Sequence, residues 1–212
     1  MSDSKYDQQV KNATGVTAFI LAGGKSSRMG SDKAFLHLGD ETLLAHALKL
    51  AGAVTEEVKI VGDATKFSPF GRVVEDVYRN RGPLGGIHAA LSASSIDLNL
   101  MLAVDLPFVD ADFLQYLLSR ARESTAIVTL PRAAGGLQPL CAVYRRPFAE
   151  IAEEALRNGR NKIDSLFAKV GTCVIEDDEL ARAGFSSEMF HNLNTPDDLK
   201  KAQSSRHQGD AP

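Results

Sequence analysis

Near the start of the chain an apolar run, Val16-Thr17-Ala18-Phe19-Ile20, opens directly into Leu21-Ala22-Gly23-Gly24-Lys25-Ser26-Ser27-Arg28-Met29-Gly30-Ser31-Asp32-Lys33. The run has the length of a buried strand, and the helical pattern of Leu43, Leu44, Ala47, Leu48 and Ala51 follows it. A strand that breaks into paired glycines and then basic residues is a common way to hold phosphates, the alternative being a strand–helix turn with solvated basic residues. Glycines let backbone N–H groups approach a ligand without a Cβ in the way. Successive N–H groups in such a turn form an anion-binding concavity, to which Arg28 and Lys33 add full charges. Two standard phosphate loops are excluded. A Walker A loop needs Ser or Thr directly after its lysine, whereas Ala34 follows Lys33, and Gly23-Gly24-Lys25 does not give the G-x-G-x-x-G fingerprint of dinucleotide binders.

Downstream, strands and helices alternate. Glu57–Val61 and Arg72–Glu75 read as strands, and Leu84–Ala93 reads as a helix. Asn99–Val104 is nearly all apolar, as a central strand buried on both faces should be. Asp110 is placed to cap a helix whose Phe113, Leu114, Leu117, Leu118 and Ala121 share one face. Thr125–Leu130, Leu137–Tyr144 (interrupted by Pro139) and Thr172–Ile175 read as further strands, with helices from Pro147 through Leu156 and over Asn161–Val170. Ala34–Leu38 is expected to be a short extended segment, and Thr195-Pro196 to start a final helix. Such alternation implies right-handed crossovers and a largely parallel sheet. Ligands then bind beyond the carboxyl ends of the strands, where Gly23, Asp76 and Asp105 all fall.

Four carboxylate and amide positions invite chemistry. Asp105, directly after the buried run, either coordinates Mg²⁺, which needs only one or two protein carboxylates, or caps the following loop. Asp76 either helps to hold a ligand or structures the turn around Tyr78. Asn192 and Asn194 are equally compatible with turn chemistry before a helix. Arg160 and Lys162 read as a solvated loop, and His37, His46, His88, His191 and His207 show no metal-ligand spacing. His46 and His88 are expected to be surface or hydrogen-bonded core residues.

Leu21 to Lys33 resembles the signature of the molybdenum cofactor guanylyltransferases, members of a wider nucleotidyltransferase group. The resemblance continues at Gly82-Pro83-Leu84-Gly85-Gly86, Asp105-Leu106-Pro107-Phe108 and Asn192-Leu193-Asn194-Thr195-Pro196, and so spans roughly residues 16 to 200. It implies an α/β, Rossmann-like three-layer nucleotidyltransferase fold with a mostly parallel central sheet. It further implies transfer of GMP from GTP to the terminal phosphate of molybdopterin or its molybdenum-loaded form, with release of pyrophosphate. The implied roles are catalysis by Lys33, Arg28 and Asp105, nucleotide binding by Leu21, Ala22, Gly23, Gly24, Lys33, Asp76 and Asp105, a Mg²⁺ cofactor on Asp105, and second-substrate contacts from Asn192 and Asn194. Cofactor-delivery proteins are the expected protein partners. The alternatives are a related enzyme using CTP or a sugar phosphate, and a non-catalytic nucleotide-binding module. One departure stands out: many members carry an asparagine after the second strand, and this chain has Val61-Gly62-Asp63.

Composition narrows the setting. The 212 residues carry a formal net charge of -3, which gives no general attraction to nucleic acid or anionic membranes. No apolar run reaches the ~18 residues of a membrane span. The polar start lacks a signal-peptide core, and Cys141 and Cys173 have no paired-ligand spacing. The expectation is a cytoplasmic protein with a disordered lead-in over 1–14, one domain over 15–203 and a flexible tail over 204–212.

Overall fold

The computed structural model describes residues 15–23, 32–133 and 135–193. The expected lead-in, tail and final helix, and with them Gly24, Arg28 and Asn194, lie outside the described residues.

Strand β1 (Val16–Leu21) leads into a 3₁₀ turn at Lys33–Phe35 and a two-residue hairpin, β2 (His37–Leu38) with β3 (Glu41–Thr42). Helix α1 (Leu43–Gly52) follows, capped by Thr42, whose hydroxyl accepts from Ala45 N. Then come β4 (Glu57–Val61), the single turn α2 (Ala64–Phe67), β5 (Arg72–Val74), α3 (Pro83–Ser92), β6 (Leu98–Ala103) and α4 (Ala111–Glu123). The Asp110 carboxylate accepts from Phe113 N at 2.7 Å and caps α4 as its sequence position predicts. The remainder is β7 (Val128–Ala133), β8 (Gly136–Leu137), β9 (Cys141–Arg145), α5 (Phe148–Arg157), α6 (Asp164–Phe167), β10 (Thr172–Ile175), α7 (Asp177–Arg182) and a 3₁₀ turn at Ser187–Phe190.

The main sheet runs β10-β7-β9-β6-β1-β4-β5, with β8 paired to β7. Parallel pairing joins β6, β1, β4 and β5 on one side and β7 with β10 on the other. Strand β9 lies antiparallel to both its neighbours.

Alternation along the central strands sorts the core into two layers. Ala18 and Ile20 of β1 and Leu100 and Leu102 of β6 pack with Leu43, Leu44 and Ala47 of α1 and Phe113, Leu114 and Leu117 of α4. Phe19 and Met101 point the other way, to Leu84 and Ile87 of α3 and Phe148, Ala152 and Ala155 of α5. The period-2 direction of strand side chains thus yields helix, sheet and helix in three layers. Asn99, buried in β6, has its Nδ2 within hydrogen-bond distance of the carbonyls of Ile96, Asp97 and Tyr144, which offsets the burial of the nitrogen, while its Oδ1 is buried without a partner among the described residues.

Several boundaries differ from the sequence reading. Lys33–Phe35 is a 3₁₀ turn where an extended segment is expected, because the Asp32 carboxylate accepts from Ala34 N and closes the turn. The helix expected over 161–170 is one turn, Asp164–Phe167; its spaced apolar residues are buried, but the chain leaves helical geometry towards β10. The strand expected over 137–144 divides at Pro139, where Cys141 N donates to Gln138 O in a turn. Strand β7 runs on through Pro131, beyond the Thr129–Val143 position where pairing with β9 ends. Among the described residues no helix is long and apolar enough to cross a membrane.

Candidate active site

The carboxyl ends of β1, β4, β5 and β6 meet at one rim. Ala22 N and Gly23 N both donate to Val61 O, at 3.0 and 3.1 Å, while Gly62 N donates to Val74 O and Val104 N to Leu21 O. These bonds carry the sheet's pairing one or two residues past the strand ends and hold Gly23 beside Val61.

Asp105 follows the last residues of the β6 run. Lys33 Nζ donates to its Oδ2 at 3.1 Å, and each side chain is about one-fifth exposed, 20% for Lys33 and 21% for Asp105. Two residues 72 apart in sequence are therefore joined at the rim. The segment after the Ser187–Phe190 turn also returns here: Leu193 N donates to Asp105 O at 3.1 Å, and the Leu193 side chain is buried in the core. Asn192 is thereby held next to the Asp105 backbone, with its side chain exposed. Nothing in the sequence ties Leu193 to Asp105 except that both lie in stretches of the resemblance.

Asp76 is only partly exposed, and its Oδ1 is buried without a hydrogen-bond partner among the described residues. It faces the start of α3. A Cβ on Gly86 would sit 3.7 Å from both Asp76 Oδ1 and Leu21 Cδ2, and one on Gly85 would sit 2.9 Å from Tyr78 O. The paired glycines thus let the helix approach the Asp76–Tyr78 backbone, and Leu21 and Asp76 converge over Gly86. Gly82 supports the approach from the preceding turn at φ 66°.

Burial raises the Asp76 carboxyl above the usual range. A carboxyl whose folded pKa exceeds its unfolded value favours the fold while protonated. That contribution is lost as pH rises through the folded value. Asp76→Asn is therefore expected to raise the melting temperature more at about pH 7 than at about pH 4, because lowering the pH relieves the buried charge of the native group. Equal gains at the two pH values in thermal melts would contradict a buried charge at this position.

Other expected residues are placed differently. Arg160 pairs with Glu154 at 3.3 Å on the surface, in keeping with a solvated loop. His46 bonds Glu41 and His88 bonds Ser92, yet each leaves one buried ring nitrogen without a partner among the described residues, so neither is fully satisfied. Burial lowers the His88 pKa and keeps its imidazole neutral. Cys141 is fully buried, its thiol pushed up to about 12, whereas Cys173 is partly exposed. Gly62 is the position the sequence reading leaves unexplained: a Cβ there would lie 2.7 and 2.8 Å from two carbons of the Phe67 ring. The signal for this packing, Gly62 followed five residues later by Phe67, is too sparse to read from sequence.

Among the described residues no three His, Cys, Asp or Glu side chains cluster as a metal cage. A single hard carboxylate at a strand end suits Mg²⁺ all the same, since that ion fills most of its shell with phosphate oxygens and water.

A mostly parallel sheet bearing a glycine at the end of its first strand, a lysine–aspartate pair and a second aspartate along one carboxyl rim is the arrangement of a nucleotidyltransferase. The chain belongs to the family of the MobA-like NTP transferase domain, which matches residues 18–173. It is 35% identical over 188 residues to a probable molybdenum cofactor guanylyltransferase of Clostridium perfringens, covering 87% of this chain and 94% of that one. It is 32% identical over 188 residues to the molybdenum cofactor guanylyltransferase of Syntrophotalea carbinolica, covering 87% and 89%. The crystal structure of molybdopterin-guanine dinucleotide biosynthesis protein A from Archaeoglobus fulgidus superposes with a TM-score of 0.79 at 26% identity, over 91% of this chain and 99% of that one. A 2-C-methyl-D-erythritol 4-phosphate cytidylyltransferase from Thermus thermophilus shares the fold, with a TM-score of 0.68 at 19% identity over 92% and 100%.

Proposed function

We propose that this enzyme transfers GMP from GTP to the terminal phosphate of molybdopterin or its molybdenum-loaded form. The observation that carries the reading is the Lys33–Asp105 pair at the rim, with Leu193 holding Asn192 beside it. A phosphate oxygen of the pterin attacks the α-phosphorus of GTP. The bond from that phosphorus to the bridging oxygen breaks, and pyrophosphate leaves with the electron pair. The attacking phosphate is largely dianionic near neutral pH, its second pKa being about 6. No protein base or covalent nucleophile is then required.

The chain's own residues place two anions in line and offset their charge. Gly24 presents its backbone N–H to the phosphates, and Leu21, Ala22 and Gly23 lead the chain to it, Gly23 being tied to β4 by its own N–H and leaving room for the ligand by its lack of a Cβ. Arg28 and Lys33 neutralise the triphosphate, and Lys33 steadies charge building on the leaving pyrophosphate. Asp76 accepts hydrogen bonds from the nucleoside, and Asn192 and Asn194 orient the pterin phosphate. Asp105 would hold Mg²⁺, which when bound supplies Lewis-acid stabilisation of the phosphoryl oxygens. Residues 15–203 acting as one domain, a cytoplasmic setting and delivery of the pterin by partner proteins belong to the same proposal.

Equilibrium binding of GTP, CTP and ATP with Mg²⁺ present tests the base. GTP is expected to bind at least about tenfold more tightly, a margin of about 1.4 kcal/mol. Pyrophosphate release with purified molybdopterin then tests the transfer. A CTP preference would move the enzyme to cytidylyl transfer.

A further inference from the structure

We infer that the short helix α2 is a two-pronged clamp that sets the position of Lys33, with Lys66 and Phe67 as its positioning residues. The inference rests on the role of Lys33 given above. Lys33 begins the 3₁₀ turn, flanked by Asp32 before it and Phe35 two residues after it. Adjacent residues of α2 reach both flanks. Lys66 Nζ lies 3.0 Å from Asp32 Oδ2. The Phe67 ring stacks on Phe35, with centroids 5.7 Å apart and planes at 27°. The other Asp32 oxygen is engaged by Ala34 N, so this one carboxylate both closes the turn and receives the cation from α2.

The clamp is itself anchored to the sheet. Asp63 caps α2 by accepting from Thr65 N at 2.9 Å and from Thr65 Oγ1 at 2.6 Å. Phe67 is 1% exposed and lies against Gly62, at the end of β4. The same hypothetical Cβ on Gly62 that would overlap the ring is 3.5 Å from Gly23 N. The ring therefore lies where a side chain at 62 would begin, and the same ring stacks on Phe35. It joins the end of β4 to the turn that Lys33 begins.

Steady-state kinetics of GMP transfer by the full chain, beside thermal melts, test the clamp. Lys66 is half exposed, so Lys66→Ala is expected to leave the melting temperature nearly unchanged. It should lower kcat about tenfold with KM for GTP altered less than about twofold, as expected when a reacting group is misplaced. Lys66→Arg, which keeps the cation, should restore kcat to within about twofold of wild type. Phe67→Leu should lower kcat by a comparable factor. Gly62→Asn should lower turnover too, because Phe67 must leave its place.

In a Lys33→Ala background, Lys66→Ala should cost less than about twofold more, since it acts through Lys33. Undiminished turnover in Lys33→Ala would overturn the role of Lys33, and the clamp with it. A loss in Lys33→Ala with unchanged kcat in both Lys66→Ala and Phe67→Leu would overturn the clamp alone. So would additive losses in the double variant, or faster turnover in Gly62→Asn.

Discussion

Asp105→Asn is expected to reduce GMP transfer by about a thousandfold or more, the scale of losing a transition-state charge stabiliser. Asparagine keeps the size of the side chain and can still accept from Lys33, so what it removes is the negative charge. The fold should tolerate the change. The lost ion pair involves two side chains that are each about one-fifth exposed, and such partly solvated pairs contribute about 1 kcal/mol or less. The backbone carbonyl that receives Leu193 N is untouched. Initial rates of pyrophosphate release at saturating GTP and Mg²⁺ measure the first effect, and a thermal melt the second. A variant retaining the full Mg²⁺-dependent rate would show that Asp105 does not carry the metal.

Phe113→Ala is expected to be the most damaging single change to stability described here, costing about 3–5 kcal/mol. Phe113 of α4 is completely buried. Its ring meets Phe185 edge-on at 5.4 Å and Phe190 at 5.2 Å. Truncation removes a large apolar side chain and both aromatic pairs, each worth about 0.5–1.5 kcal/mol beyond its buried area. The damage should also reach the rim. Phe185 and Phe190 hold the segment that ends at Leu193, and Leu193 is what brings Asn192 to Asp105. Denaturant titration of the variant should show a midpoint shift at nearly unchanged slope. A cost below about 1 kcal/mol would mean the cluster collapses into the space without penalty.

The central half of the fold was legible in sequence because burial and direction coincide there. Strands β1 and β6 are short, largely apolar runs, β4 and β5 are valine- and isoleucine-rich segments with charged residues among them, and each is followed by a residue that breaks it: Ala22-Gly23, Gly62, Asp76 beyond Glu75, and Asp105. Local pattern fails where structure depends on distant partners. Ile163, Leu166 and Phe167 are buried as their spacing suggests, but that spacing reports a packed face and not the length of a helix. Strand direction leaves no mark on periodicity, so the reversal of β9 could not be read. Helix α7 is short and mostly charged, with Leu180 its one buried side chain, although Asp177, Asp178 and Glu179 at its start and Arg182 at its end are the charges a helix dipole favours. At the site, the strand-end position of Asp105 was readable from one stretch of chain. Its partnership with Lys33 was not, because only the folded sheet joins them.

The direction of β9 decides which end of that strand meets the ligand. In a wholly parallel sheet each strand would offer its last residue to the crevice. Run in reverse beside β6, β9 offers its first: Cys141 pairs with Leu102, and Leu140 O receives Ala103 N one residue before Asp105's neighbour Val104. The approach to β9, from Gly136 to Leu140, therefore arrives at the carboxyl end of β6. The Tyr144 hydroxyl pins it from below by donating to Pro139 O at 2.8 Å. A strand turned end for end thus brings an incoming segment, itself paired to β7 through β8, to the rim where its parallel neighbours end.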